Sequence, residues 1–138
     1  MASSARTLVD TNILLDLATN DPDWAQWSIS ALADASRHGG LAINPIVYAE
    51  LSVGYTRIED CDDAFPVKRF ERLALPWPAA FLAGKVFVAY RRAGGTSGSP
   101  LPDFYIGAHA AVAGMRLLTR DAARYRTYFP ELHVIAPS

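Results

Sequence analysis

The stretch "TLVDTNILLD", residues 7–16, decides how the chain begins to fold. Its first residues predict a short buried strand, and "NILLDLAT", residues 12–19, predicts a short helix after it. Asp10 stands between the two elements, at the carboxyl end of the strand. A carboxylate in that place is typical of a helix cap, and it is also typical of the edge where parallel sheets bind ligands. The stretch therefore predicts the start of an α/β fold and leaves two roles open for Asp10.

The composition is typical of a globular protein and excludes several classes. The chain has 138 residues, of which 51% are hydrophobic and 20% charged, and its formal net charge is −1. This composition argues against a disordered chain and against a generally basic coat for nucleic acid. A single cysteine, Cys61, excludes an internal disulfide and a zinc site of several cysteines. We find no signal-peptide pattern and no long apolar segment, so we expect a cytoplasmic protein that does not enter a membrane.

The rest of the chain alternates predicted helices with short predicted strands. Strands are predicted at "LAI" (41–43), "RLLT" (116–119) and "HVIA" (133–136). Helices are predicted over residues 23–40, 44–55, 78–94, 101–115 and 121–129, and a polar helical segment interrupted by Pro66 over residues 59–73. Strands separated by helices indicate parallel βαβ units. We therefore expect an α/β, three-layer sandwich with a central, mostly parallel sheet flanked by helices.

Aromatic residues recur at helical spacing in two of the predicted helices. Such stripes usually face the core, so we expect them to be packed inward rather than to form a partner surface. The residues concerned are Trp24, Trp27, Ile29, Leu32 and Ala35 in one helix, and Trp77 directly before, with Phe81 and Leu82 within, the helix predicted over residues 78–94.

Four acids are placed by the pattern at or near one edge of the sheet. Asp10 and Asp121 each follow a predicted strand, while Asp103 opens one helix and Glu50 lies within another. Each aspartate has a plain structural explanation as a helix cap or as a charge at a helix N-terminus. Glu50 does not, because it lies in the apolar segment "IVYAELSV", where an unpaired carboxylate is costly. The combination therefore favours a functional site.

Carboxylates that lie close together repel each other unless a cation lies among them. Ligand sets made only of oxygen suit Mg²⁺ or Mn²⁺, which could bind a phosphodiester and activate a water nucleophile. Residues 85–126 contain seven Lys or Arg and only two acids. We name Arg91, Arg92 and Arg120 as candidates for RNA binding, and solvated helix faces explain these arginines equally well.

Four segments in order resemble the PIN-domain family, and most closely its VapC-type toxins. They are "VDTNILLD" (9–16), "NPIVYAEL" (44–51), "LPDFYIGAHA" (101–110) and "LLTRDAARYRTYFP" (117–130). The resemblance covers nearly the whole chain and implies a single PIN-like domain over residues 1–138. It implies an Mg²⁺-dependent endoribonuclease, with Mn²⁺ as a possible substitute. The implied catalytic and metal-binding residues are Asp10, Glu50, Asp103 and Asp121, supported by the polar residues Asn12 and Thr119.

The same resemblance implies partners: an RNA substrate, a second copy in a homodimer, and a cognate antitoxin that blocks the acidic site. Asp16 is interpreted as a surface residue rather than a ligand. Two alternatives stay open. One is a non-catalytic module, or an antitoxin-type module, that binds a peptide or RNA through the acids. The other is an aspartyl-phosphate protein, which Asn12 disfavours because that chemistry usually has a second acid, and which also needs a late lysine where Lys85 is the only candidate.

Overall fold

A five-stranded sheet forms the centre of the molecule. The structure, a computed structural model, describes residues 6–138. The strands are β1 (Thr7–Val9), β2 (Leu41–Ile43), β3 (Phe70–Arg72), β4 (Arg116–Leu118) and β5 (Val134–Ile135). Their order across the sheet is β3-β2-β1-β4-β5, and all four pairings are parallel. The predicted α/β architecture with a mostly parallel sheet is confirmed.

Helices cover both faces of this sheet. All three residues of β1 and all three of β2 are buried, although successive side chains of a strand point to opposite faces. A parallel sheet covered on both sides gives the predicted three layers. Within residues 6–138, no helix has the length and apolar character needed to span a bilayer. The helices are α1 (Thr11–Ala18), α2 (Ala25–Ser36), α3 (Pro45–Ser52), α4 (Ile58–Ala64), α5 (Trp77–Arg92), α6 (Pro102–Ala113) and α7 (Ala123–Tyr128).

Local sequence signals set the start of α3 and the end of α6. Asn44 is the N-cap of α3, where its side chain accepts a hydrogen bond from the backbone N–H of Val47, and Pro45 occupies the first turn as predicted. Gly114 ends α6 with a φ of 68°, in the left-handed region that favours glycine. These ends fix where α3 and α6 begin and stop relative to the strands.

The prediction of a helical segment over residues 59–73 is wrong in its second half. The helix α4 ends before Pro66, and residues Phe70–Arg72 pair with β2 as an edge strand. Only Phe70 of β3 is buried, whereas Glu71 and Arg72 are exposed. The strand was missed because two of its three side chains are charged, so the sequence carries no alternating apolar pattern there.

The prediction that Trp77 and Phe81 face the core is also wrong. Trp77 is 88% exposed and Phe81 is 68% exposed. The helix α5 turns its small residues inward instead, burying Ala79 and Ala83 where it packs against α6. Small side chains allow two helices to approach closely, and this leaves the aromatic face of α5 outside. In α2, Leu32 and Ala35 are buried, Trp24 and Trp27 are half-buried, and Ile29 is 46% exposed.

The strand order explains where a ligand can bind. From β1 the chain builds one side of the sheet through β2 and β3, and then returns to place β4 and β5 on the other side. Segments that leave β1 and β4 at their carboxyl ends therefore depart in different directions and open a crevice between them. Asp10 and Thr119 are the residues that directly follow these two strands.

Candidate active site

One cavity collects all four acids that the sequence singled out. It has a volume of about 450 Å³ and lies at the carboxyl ends of β1 and β4. Asp10 follows β1, Asp121 follows β4, Glu50 projects from α3, and Asp103 comes from the first turn of α6. Larger cavities exist elsewhere, such as the one of about 690 Å³ beside Met115 and Phe129, but that one is lined by none of the four acids. Side chains from four separate elements therefore bring their carboxylates to a single place.

Asp10 is the buried centre of this group. It is 5% exposed and is the N-cap of α1, where Oδ1 accepts a hydrogen bond of 2.7 Å from the backbone N–H of Thr11. Its Oδ2 accepts hydrogen bonds from the hydroxyl groups of Thr119 and Tyr125, both at 2.9 Å. The pKa of Asp10 is raised from 3.8 to about 6: burial is the largest cause and the charge of Asp103 adds to it, while these hydrogen bonds partly offset both effects. The cap and the site are thus the same carboxylate.

Asp103 interacts electrostatically with Asp10, and its own pKa depends on neighbouring charges. Burial raises the pKa of Asp103, the guanidinium of Arg124 lowers it, and the charge of Asp121 raises it. Arg124 Nη1 lies 3.4 Å from Asp103 Oδ2. Arg124 lies in the basic segment of residues 85–126, but its pairing with Asp103 was not predicted, because the two residues are 21 positions apart in the sequence. The cavity therefore concentrates negative charge and has Arg124 at its margin.

The surroundings of Glu50 and Asp121 differ from those that the sequence suggested for each residue. Glu50 is half-buried, and its Oε1 accepts a 2.6 Å hydrogen bond from the hydroxyl of Thr11, so it is not an unpaired charge in an apolar face. Asp121 does not cap α7, because that helix begins after Ala122 with no side-chain cap. The Asp121 side chain is exposed and lines the cavity. A role in capping therefore does not explain Asp121.

Asn12 and Thr119 form a polar bridge between α1 and the end of β4. The amide nitrogen of Asn12 donates to Thr119 Oγ1 at 3.2 Å and to Asp10 Oδ2 at 3.4 Å, while its Oδ1 accepts the backbone N–H of Arg120 at 3.0 Å. The hydroxyl of Thr119 also accepts the backbone N–H of Asp121 at 3.1 Å. Both predicted supporting residues therefore contact the segments that carry acids.

Tyr125 belongs to this site and was not identified from the sequence. Its ring is 1% exposed, and its hydroxyl donates to Asp10 while also interacting with Asp103. Burial raises the pKa of Tyr125, and the two nearby carboxylates raise it further, so the phenol stays protonated and acts as a donor. Within "RYRTYF" it looked like an ordinary helix residue, four positions after Asp121, and only the fold turns it toward Asp10.

The interpretation of Asp16 as a surface residue is wrong. Asp16 is 2% exposed and forms a two-point ion pair with Arg120, with N–O distances of 2.7 and 2.9 Å. Arg120 was a candidate for RNA binding, and the structure directs its guanidinium to Asp16. Arg91 and Arg92 lie in the last turn of α5, where Arg91 donates to the carbonyl oxygen of Ser97, and neither lines the acidic cavity. Their contact with RNA stays a prediction.

The donor set fits a hard divalent cation held partly through water. Across residues 6–138, no group of three or more His, Cys, Asp or Glu side chains is arranged so that it could hold a metal ion by itself. Mg²⁺ does not need such a group, since it keeps several waters and commonly uses one or two carboxylates of the protein. The cavity supplies four carboxylates, and the charge of Asp103 already raises the pKa of Asp10. Added positive charge would relieve that repulsion, so the residues fit Mg²⁺ or Mn²⁺.

Comparison with known proteins agrees with this architecture. The family model of the PIN domain matches residues 7–130. No curated protein is similar enough in sequence to count as a match. Similar solved structures include VapBC2 from Rickettsia felis bound to a promoter DNA fragment, with a TM-score of 0.74, 21% identity and coverage of 96% of this chain and 99% of that one.

Two further structures share the fold. VapBC-1 from nontypeable Haemophilus influenzae has a TM-score of 0.71 and 21% identity, with 95% of this chain and 97% of that chain covered. A toxin–antitoxin complex from Klebsiella pneumoniae has a TM-score of 0.66 and 25% identity, with 96% and 98% covered. Since the family model spans all four acids and nearly the whole sheet, the chain belongs to the PIN-domain family.

Proposed function

We propose that this protein is an Mg²⁺-dependent endoribonuclease that acts as the toxin of a toxin–antitoxin pair, with Mn²⁺ as an alternative ion. The observation that carries the proposal is the convergence of Asp10, Glu50, Asp103 and Asp121 on one cavity at the carboxyl ends of β1 and β4. These four carboxylates would hold the ion directly or through its waters. The PIN family match supports a nuclease.

The residues of the chain prepare the site for a phosphodiester. A bound Mg²⁺ would supply Lewis-acid polarisation of the phosphate and activation of the attacking water. Thr119 and Tyr125 hold Oδ2 of Asp10, whereas Oδ1 accepts one hydrogen bond and keeps capacity for a further partner. Arg124 places positive charge beside Asp103, where it can stabilise charge that develops on a phosphate.

The proposed partners follow from the similar structures. These are described as complexes of VapBC type or as toxin–antitoxin complexes. We propose that a cognate antitoxin binds this chain and covers the acidic cavity, that the chain forms a homodimer, and that it acts on RNA in the cytoplasm. A basic side chain of the antitoxin would be attracted by the four carboxylates.

The test is RNA cleavage by Asp103→Asn, with Asp62→Asn as the matched control. Asp62 also pairs with an arginine, Arg72, but it belongs to α4 and does not line the acidic cavity. We expect Asp103→Asn to lower the cleavage rate at saturating Mg²⁺ by at least about a hundredfold while the protein stays folded, and Asp62→Asn to cleave normally. Cleavage by Asp103→Asn at the wild-type rate, or metal-independent cleavage by the wild type, would contradict the proposal.

The aspartyl-phosphate alternative finds no support in the cavity. The residue two positions after Asp10 is Asn12, which bridges to Thr119 rather than supplying a second acid. Lys85, the candidate late lysine, lies on α5 with its ammonium 5.0 Å above the ring of Phe81, and it does not line the cavity. A non-catalytic module would bind the antitoxin peptide without cleaving RNA. The comparison of the wild type with Asp103→Asn distinguishes this alternative, because a non-catalytic wild type would show no cleavage for the substitution to abolish.

A further inference from the structure

A second polar cluster lies behind the acidic cavity. It consists of Asp16 on α1, Ser28 on α2, and Arg120 in the segment after β4. Arg120 Nε and Nη2 donate to Asp16 Oδ2 and Oδ1 at 2.7 and 2.9 Å, and the hydroxyl of Ser28 donates to Oδ2 at 2.7 Å. The guanidinium of Arg120 also lies 5.1 Å from the ring centre of Trp24. Asp16 is thus buried with both oxygens bonded.

Arg120 is held at its backbone as well as at its side chain. Its N–H donates to Oδ1 of Asn12, one helical turn before Asp16 on α1. The residues on either side of Arg120 are Thr119, which bonds Asp10, and Asp121, which lines the cavity. Helix α1 therefore holds the segment after β4 at two points, and both points lie next to Asp121.

Asp121 needs such support because its own carboxylate has none. Among the described residues, no hydrogen bond or ion pair holds the side chain of Asp121, and the residue is exposed. Asp10, Glu50 and Asp103 differ, since each is bonded directly to Tyr125, Thr11 or Arg124. The position of Asp121 therefore depends on the backbone of residues 119–121.

We propose that Asp16 and Arg120 are positioning residues that hold Asp121 at the cavity. Their ion pair fixes the segment after β4 against α1, so that Asp121 faces the other three acids without a bond to its own carboxylate. The proposal assigns Arg120 to the site's support and not to contact with RNA. The expected effect on metal binding rests on the proposed function, whereas the expected effect on the backbone of residues 119–121 does not.

Chemistry favours this assignment over contact with RNA. A buried carboxylate is strongly destabilising without its partner, so the guanidinium of Arg120 cannot leave Asp16 for a phosphate at little cost. The paired fork of arginine and carboxylate also fixes direction as well as charge. Partners that orient metal-binding side chains commonly change metal affinity by about 10- to 100-fold when they are mutated.

The experiment compares Asp16→Asn and Arg120→Gln with the control Asp62→Asn. Asp62 also accepts from one arginine and one hydroxyl, Arg72 and Tyr48, but it is far from the segment after β4 in the sheet order. Hydrogen exchange of the Arg120 and Asp121 amides is measured without metal, and Mn²⁺ and Mg²⁺ affinities are measured by calorimetry. Melting temperatures without metal identify any variant that has lost its fold, and the double variant Asp16→Asn/Arg120→Gln, which removes both charges and so leaves no unpaired buried carboxylate, keeps the proposal testable.

We expect both variants to exchange these two amides faster than the wild type and to bind Mn²⁺ at least about tenfold more weakly, with Asp62→Asn unchanged. In the Asp121→Asn background, Asp16→Asn should cause no further loss of affinity, because its effect acts through Asp121. Unchanged amide exchange, or an equal loss of affinity in both backgrounds, overturns the positioning role. Faster exchange in a protein whose wild type binds no metal supports the positioning role and refutes the proposed metal site, so the two failures are distinct.

Discussion

Asp10 should make the metal-free protein less stable as the pH rises. The pKa of Asp10 is raised from 3.8 to about 6, chiefly by burial and to a smaller extent by the nearby charge of Asp103. Because the folded state keeps the proton longer than the unfolded chain does, the folded state binds more protons between these two pH values. Stability therefore falls as the pH rises from about 4 to about 6, and the loss is complete above the higher value.

The size of the effect follows from the two pKa values. A pKa raised from 3.8 to about 6 corresponds to about 3 kcal/mol of unfolding free energy at neutral pH. Asp10→Asn removes this titration but also removes one acceptor oxygen, which costs a constant amount at every pH. We therefore expect the free energy of Asp10→Asn, minus that of the wild type, to rise by up to about 3 kcal/mol from pH 4 to pH 7.

Urea unfolding at a series of pH values with a chelator present measures this difference. Asp62→Asn is the control with the opposite sign, because the hydrogen bond from Tyr48 and the pairing with Arg72 lower the pKa of Asp62. Its difference from the wild type should fall as the pH rises toward about 4 and stay nearly level above about 5, since it loses a group that stabilises the folded state when ionised. A flat difference for Asp10→Asn, or one that falls with pH, would refute the reasoning about Asp10.

Two further substitutions test the packing around the site. Tyr125→Phe keeps the ring but removes the hydroxyl that donates to Asp10, so we expect Mg²⁺ affinity measured by calorimetry to fall by about tenfold, and equal affinity would contradict the role of that hydrogen bond. Gly107→Ala would place a methyl group 2.4 Å from the buried ring of Phe129, so urea unfolding should show a loss of about 1–3 kcal/mol. Gly84→Ala, in the middle of α5, is the control: the added methyl group has no atom of another part of the molecule within 4 Å, so the variant should gain stability by up to about 1 kcal/mol.

The sequence identifies most of the fold because most elements carry local signals. Buried three-residue strands such as β1 and β2 appear as short apolar runs, and Asn44-Pro45 marks the start of α3. The edge strand β3 has no such signal, since Phe70 alone is buried and its strand character comes from pairing with β2. Exposed Trp77 and Phe81 show the same limit, because which face of α5 is buried depends on how closely α6 approaches.

Sequence reasoning also identified only some residues of the candidate site. Strand polarity alone places Asp10 and Asp121 at one edge, and the awkward position of Glu50 suggests a third acid there. Tyr125 and the Asp16–Arg120 pair escape this reasoning, because their contacts join residues more than a hundred positions apart. Nothing in the local sequence separates a buried, paired Asp16 from a surface acid on the same helix.

Asp10 shows why capping and site chemistry were not true alternatives. As the N-cap of α1, its carboxylate is fixed by the backbone N–H of Thr11 on one oxygen. Thr119 and Tyr125 fix the other oxygen, so rotation of the side chain would break bonds on both sides. A carboxylate held this way stays in place even though burial and the charge of Asp103 oppose its ionisation. The cap therefore holds a charge that the folded protein would otherwise avoid, and a divalent cation would make that same charge favourable.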